Sequence, residues 1–78
     1  MYMNPARMSR DHQRRIVRWM VANGCTDYVA LEPIVLKGKV LHYTSCGRRG
    51  RRVAVRNGEV VTRRRQLRIR ITLRKVRE

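Results

Sequence analysis

The dipeptide Asn57-Gly58 constrains this chain more than any other feature. A two-residue type I′ turn needs positive φ at both central positions, and Asn-Gly tolerates that geometry best. The turn predicts a hairpin in which Arg56 faces Glu59, Val55 faces Val60, Ala54 faces Val61, Val53 faces Thr62 and Arg52 faces Arg63. Side chains alternate across a strand, so Val53, Val55, Val60 and Thr62 share one face. Arg52, Arg56, Glu59 and Arg63 share the other with Ala54 and Val61. A third segment alternates strictly, with Leu67, Ile69, Ile71 and Leu73 on one side and Arg68, Arg70, Thr72 and Arg74 on the other. The pattern predicts a sheet with an apolar face and an arginine face.

Charge is concentrated in the same stretch. Residues 48–78 hold twelve arginines and one lysine against two glutamates, a net +11 of the chain's +15. Residues 1–18 carry +4, and residues 19–47 are neutral. Arg52 opposite Arg63 would be a like-charge cross-strand pair, unfavourable by ~0.2–1 kcal/mol. The runs around it add to the repulsion, which a polyanionic partner would relieve. A solvated face in an arginine-rich protein is the plainer reading of the same charges. Seventeen arginines against three lysines point to phosphate, because guanidinium forks bind it in bidentate fashion and stay charged.

These features imply a small basic nucleic-acid-binding protein, with Arg48, Arg49, Arg51, Arg52, Arg56, Arg63, Arg64, Arg65, Arg68, Arg70 and Arg74 on phosphates. Double-stranded DNA is favoured over RNA, since a two-stranded ribbon fits the major groove and the basic tail has no aromatic residue for base stacking. The expected role is that of a DNA-binding regulator. Two alternatives use the same charges: a small inhibitor or adaptor on an acidic protein surface, or a ribonucleoprotein component.

Upstream, Ser9 is a good helix N-cap, Asp11 complements the dipole in the first turn, and Asn23-Gly24 is a stop signal. Gln13, Ile16, Val17, Trp19, Met20 and Val21 fall on one broad arc of this helix, opposite Arg14, Arg15 and Arg18. Trp19, at the edge of the arc, reads as core or rim and not as a base-stacking residue. Residues 1–8, with Asn4, Pro5 and no periodicity, predict a flexible arm, leaving 9–78 as a single small basic domain. Ile34-Val35-Leu36 and Val40-Leu41-His42-Tyr43 read as strands around a turn containing Gly38. Residues 27–32 fit either a strand or a short helix.

The expected fold is therefore α+β, one N-terminal amphipathic helix packed on a small antiparallel sheet of about four strands. A compact winged helix is the alternative, with 27–32 and 39–46 as further helices and the 53–63 hairpin as wing. The β-branched character of 34–43 argues against it. With no Phe, one Trp and three Tyr, the core must be built mainly on Val, Ile, Leu and Met. A core this small would gain from a homodimer or a bound partner.

Enzyme chemistry has little to build on. Five acidic residues are present, and His12 and His42 have no evident triad partners. Gly47-Arg48-Arg49-Gly50 lacks the Lys-Ser/Thr ending of a phosphate loop. Cys25, His42 and Cys46 offer part of a zinc set without a convincing fourth ligand, so no metal or other cofactor is expected and both thiols are taken as reduced. No apolar run approaches the roughly 18–20 residues of a membrane span, and no signal-peptide core follows the N-terminus, which implies a cytoplasmic protein without membrane contact.

Overall fold

In the computed structural model, which describes residues 1–75, the helix begins and ends where its capping residues place it. The Ser9 hydroxyl oxygen accepts from the His12 N–H at 3.2 Å, and α1 runs Arg10–Ala22. Asn23 caps its C-terminus, and Gly24 takes φ +96°, a left-handed conformation that side chains disfavour.

Among the described residues there are seven strands, in chain order β1 (Tyr2–Met3), β2 (Asp27–Val29), β3 (Ile34–Lys37), β4 (Val40–Arg48), β5 (Val55–Arg56), β6 (Glu59–Val60) and β7 (Arg63–Arg68). Single 3-10 turns lie at Pro5–Arg7 and Leu73–Lys75. Five strands form one antiparallel sheet centred on β4. β3 and β7 both pair with residues 40–42, so they occupy opposite edges of β4. β2 pairs beyond β3 on the same edge, and β1 adds outside β3. β5 and β6 pair only with each other. The chain is thus α+β, and the winged-helix alternative fails because 27–29 and 40–48 are strands. The β-branched residues of 34–43 decide this, since they pack better on a pleated surface than in a short helix.

α1 covers the face of the sheet that carries Met3, Ile34, Leu41 and Tyr43. Ile16, Trp19 and Met20 are its buried residues, and Cys25 and Ile69 complete the core. The buried stripe is rotated from the expected arc: Val17 and Val21 are exposed, while Arg15 is half-buried and donates to the Leu73 carbonyl at 3.3 Å. The cause is the segment after β7, which returns across this side of the helix. Trp19, expected at an edge, is 1 % exposed beneath it.

Three further expectations are corrected. Residues 1–8, expected as an arm, are built into the domain: Tyr2 and Met3 pair with Val35 and Ile34, Met3 is buried, and the Met1 amino group donates to the Leu36 carbonyl at 2.8 Å. Gln13 holds the next turn by donating to the Pro5 carbonyl at 2.7 Å. The hairpin keeps its predicted register, Val55 with Val60 and Arg56 with Glu59, but it is not part of the main sheet. Val55, Val60 and Val61 are 63, 47 and 42 % exposed, because the hairpin stands off the main sheet and no helix among the described residues lies over it. Finally, the strict alternation of 67–74 is not one strand, since β7 ends at Arg68. Among the described residues no helix is long and apolar enough to cross a membrane.

Candidate nucleic-acid interface

The arginines divide by what holds them. Arg49 anchors the loop after β4: its backbone N–H donates to the Thr26 carbonyl at 2.8 Å and its guanidinium to the Cys25 carbonyl at 2.6 Å. The Gly50 N–H donates to the Tyr28 hydroxyl at 3.3 Å, and the Arg51 N–H closes a turn on the Arg48 carbonyl at 3.2 Å. Gly50 takes φ +80° there. This fixed elbow directs the chain off the sheet and into the hairpin. Arg48, Arg51 and Arg52 at the elbow and Arg56 on the hairpin are all exposed. Asn57 and Gly58 have φ 53° and 79°, the two positive values a type I′ turn requires.

The arginines of β7 sit on both faces of the sheet. Arg63 faces Ser45, not Arg52, so the expected like-charge pair is avoided. Arg64 reaches over Thr44, donating to its hydroxyl at 3.0 Å and to the Pro33 carbonyl at 2.9 Å. Arg65 points to the other face and lies 3.5 Å from the Asp27 carboxylate. Asp27 is buried and also accepts from the Tyr43 hydroxyl at 2.6 Å, with the Cys25 thiol 3.7 Å from that hydroxyl. Burial, and then the hydrogen bond to Asp27, raise the Tyr43 phenol above its ordinary value. A buried carboxylate needs such partners, and Arg65 supplies the countercharge. Arg65 and Arg64 are therefore structural residues as well as surface cations.

Arg68 ends β7, and Arg70 and Arg74 lie on the returning segment, away from the hairpin. The eleven arginines do not form one continuous face. Arg48, Arg51, Arg52 and Arg56 cluster at one end of β4, and Arg68, Arg70 and Arg74 at the other. The two ends are separated by the nine residues of β4, about 25 Å of strand.

The side of the sheet away from α1 carries a group that sequence reading missed. Tyr2, Val35, His42 and Gln66 are successive cross-strand neighbours over four strands. Arg64 lies beside this row on one side, and Lys37 and Arg68 on the other. Tyr2 is 66 % exposed. The signal was the alternation of Tyr2 with Met3, too short to distinguish from an arm. Cys25 belongs to the core while His42 lies on this outer side, so the partial zinc set is divided between the two faces. Compared with known proteins, the chain matches no family model, no curated protein and no solved structure.

Proposed function

We propose that this protein binds nucleic acid through the hairpin and the arginine elbow that carries it. The observation that supports the reading is a two-stranded ribbon whose apolar and cationic side chains are both exposed while its base is pinned by Arg49. An exposed ribbon that buries nothing in its own fold is a poor stabilising element, and it has the width to enter a major groove. Arg48, Arg51, Arg52 and Arg56 would take phosphates on either side of it, and the fixed elbow limits the entropy lost on docking. Duplex DNA is the favoured ligand, in a regulatory role.

A second form of the same reading rests on the outer sheet face. Tyr2 and His42 lie between cations there, and an aromatic side chain among arginines is how single strands are held by stacking. One titration distinguishes the two. Duplex DNA, single-stranded DNA and duplex RNA are each bound at several salt concentrations, with wild type and Tyr2→Ala. Tight duplex binding with a steep log–log slope, about −0.9 for each phosphate neutralised, and no effect of Tyr2→Ala supports the ribbon. Preference for single strands, lost with Tyr2→Ala, supports the sheet face. Weak binding that vanishes near physiological salt for all three ligands rejects both.

A further inference from the structure

At the end of β4 remote from the hairpin, the turn between β3 and β4 and the segment after β7 enclose a groove of about 990 Å³. Leu36, Ile69 and Leu73 line its floor beside Trp19. Lys39, Arg68, Arg70 and Arg74 stand around it, all exposed. An apolar trough ringed by cations calls for an occupant that is both apolar and anionic.

The hydrogen bonding around the floor narrows the choice. The Trp19 indole N–H is taken by the Ile71 carbonyl at 2.6 Å. The Leu36 N–H donates to the Met1 carbonyl and the Ile69 N–H to the Lys39 carbonyl, both at 2.7 Å. Arg70 and Ile71 give their N–H groups to the Asn23 side-chain oxygen at 2.6 and 2.8 Å. A nucleobase buried over this floor would find polar partners only at the rim, in Thr72 and the cations, and an edge left unmatched over the apolar floor is costly. A large aliphatic or aromatic side chain has no such requirement. Four cations around the groove also exceed what a single carboxylate head group needs, and suit several carboxylates along an extended chain. A second copy of this basic chain would bring like charges together.

We propose that this groove is a docking site for an acidic protein segment that inserts one large apolar side chain between flanking carboxylates. The apolar anchor would fill the trough over Leu36, Ile69 and Leu73, and its acidic neighbours would reach Lys39, Arg68, Arg70 and Arg74. This site is about 25 Å of strand from the hairpin, so an occupant here leaves the hairpin free to bind nucleic acid, although Arg68 is shared with the outer sheet face.

The test uses fluorescence anisotropy with a labelled peptide in which a central phenylalanine is flanked by three glutamates on each side. The whole chain is titrated into this peptide, into its central-serine analogue and into a labelled single-stranded oligonucleotide. Saturable binding of the phenylalanine peptide is expected, weakened at least about tenfold in the serine analogue and by about as much in the double variant Arg70→Glu, Arg74→Glu. Lys39→Glu, on an exposed turn, serves as a second variant should the double variant fold poorly. The triple variant Arg51→Ala, Arg52→Ala, Arg56→Ala should leave peptide affinity unchanged, whatever it does to nucleic acid. Equal affinity for the two peptides would reduce the groove to a general cationic surface and overturn the proposal. So would wild-type affinity in the charge-reversed variants, or an oligonucleotide that loses more affinity in them than the peptide does.

Discussion

The indole N–H of Trp19 donates to the Ile71 carbonyl at 2.6 Å, and this hydrogen bond fastens the returning segment to the helix. Asn23 works beside it, donating to the Trp19 carbonyl at 2.9 Å and the Ile71 carbonyl at 3.1 Å. Its side-chain oxygen receives the Arg70 and Ile71 N–H groups. A residue whose plainest role is to end a helix thus also replaces the backbone partner that the chain gives up after Ile69.

Trp19→Phe should lower stability by about 1–3 kcal/mol, because it removes that donor and leaves a void in a buried site. Asn23 still reaches the Ile71 carbonyl, which favours the lower half of the range. A thermal melt reads the effect as a fall of several degrees for a domain of this size. An unchanged midpoint would mean that the returning segment is held by other interactions.

Tyr43→Phe should cost about 1–3 kcal/mol near neutral pH, since buried Asp27 is deprived of its shortest hydrogen bond. The same variant should alter the alkaline limb. Folded Tyr43 holds its proton to higher pH than an unfolded tyrosine, which titrates at about 10. Its contribution is therefore fully present below about pH 10 and is lost as pH rises beyond that value. Urea melts between pH 8 and 11 should show a shallower alkaline decline in Tyr43→Phe than in wild type. Parallel declines would show that the phenol ionises equally well in both states.

Replacing Asn57 and Gly58 by alanine forces two left-handed positions onto residues with a Cβ, at roughly 1–2 kcal/mol each. The hairpin contributes no side chain to the core, so the strain should open it locally without moving the main transition. The expected result is an unchanged melting midpoint together with weaker nucleic-acid binding. A large fall in the midpoint would show that hairpin and sheet unfold as one unit.

Arg51→Ala, Arg52→Ala and Arg56→Ala together should weaken duplex binding and reduce the salt slope by up to about 0.9 for each phosphate left without its arginine. Stability should be unaffected, because these side chains are exposed. Arg64→Ala and Arg65→Ala should behave in the opposite manner. Each lowers stability first, through Pro33 and Thr44 or through Asp27, and any fall in binding would follow from that. Retention of the full salt slope in the triple variant would remove the elbow and hairpin from the interface.

Much of this molecule is legible in its order of residues. The helix limits follow from Ser9 and Asn23-Gly24, the hairpin register from Asn57-Gly58, and the strand character of 34–36 and 40–43 from its branched and aromatic residues. Each of these depends on interactions within a few positions, so local chemistry is enough. The two-residue strand at Tyr2-Met3 was not legible, because a segment that short has no period to detect and exists only as an addition to β3. The division of the arginines was not legible either. Alternation assigns a residue to one side of a strand, but it does not say where the strand stops or which neighbour lies opposite.

The sequence by itself determined a small α+β chain with a capped helix, a type I′ hairpin and a strongly cationic C-terminal half. Only the tertiary structure decided that the hairpin stands apart, that Arg64 and Arg65 serve the fold, and that the segment after β7 leaves the sheet to bury Trp19. The reason is competition for one apolar surface. A single helix offers one stripe, and β1, β3, β4 and the segment after β7 occupy it. The valines of the hairpin are equally apolar, but no remaining layer can cover them.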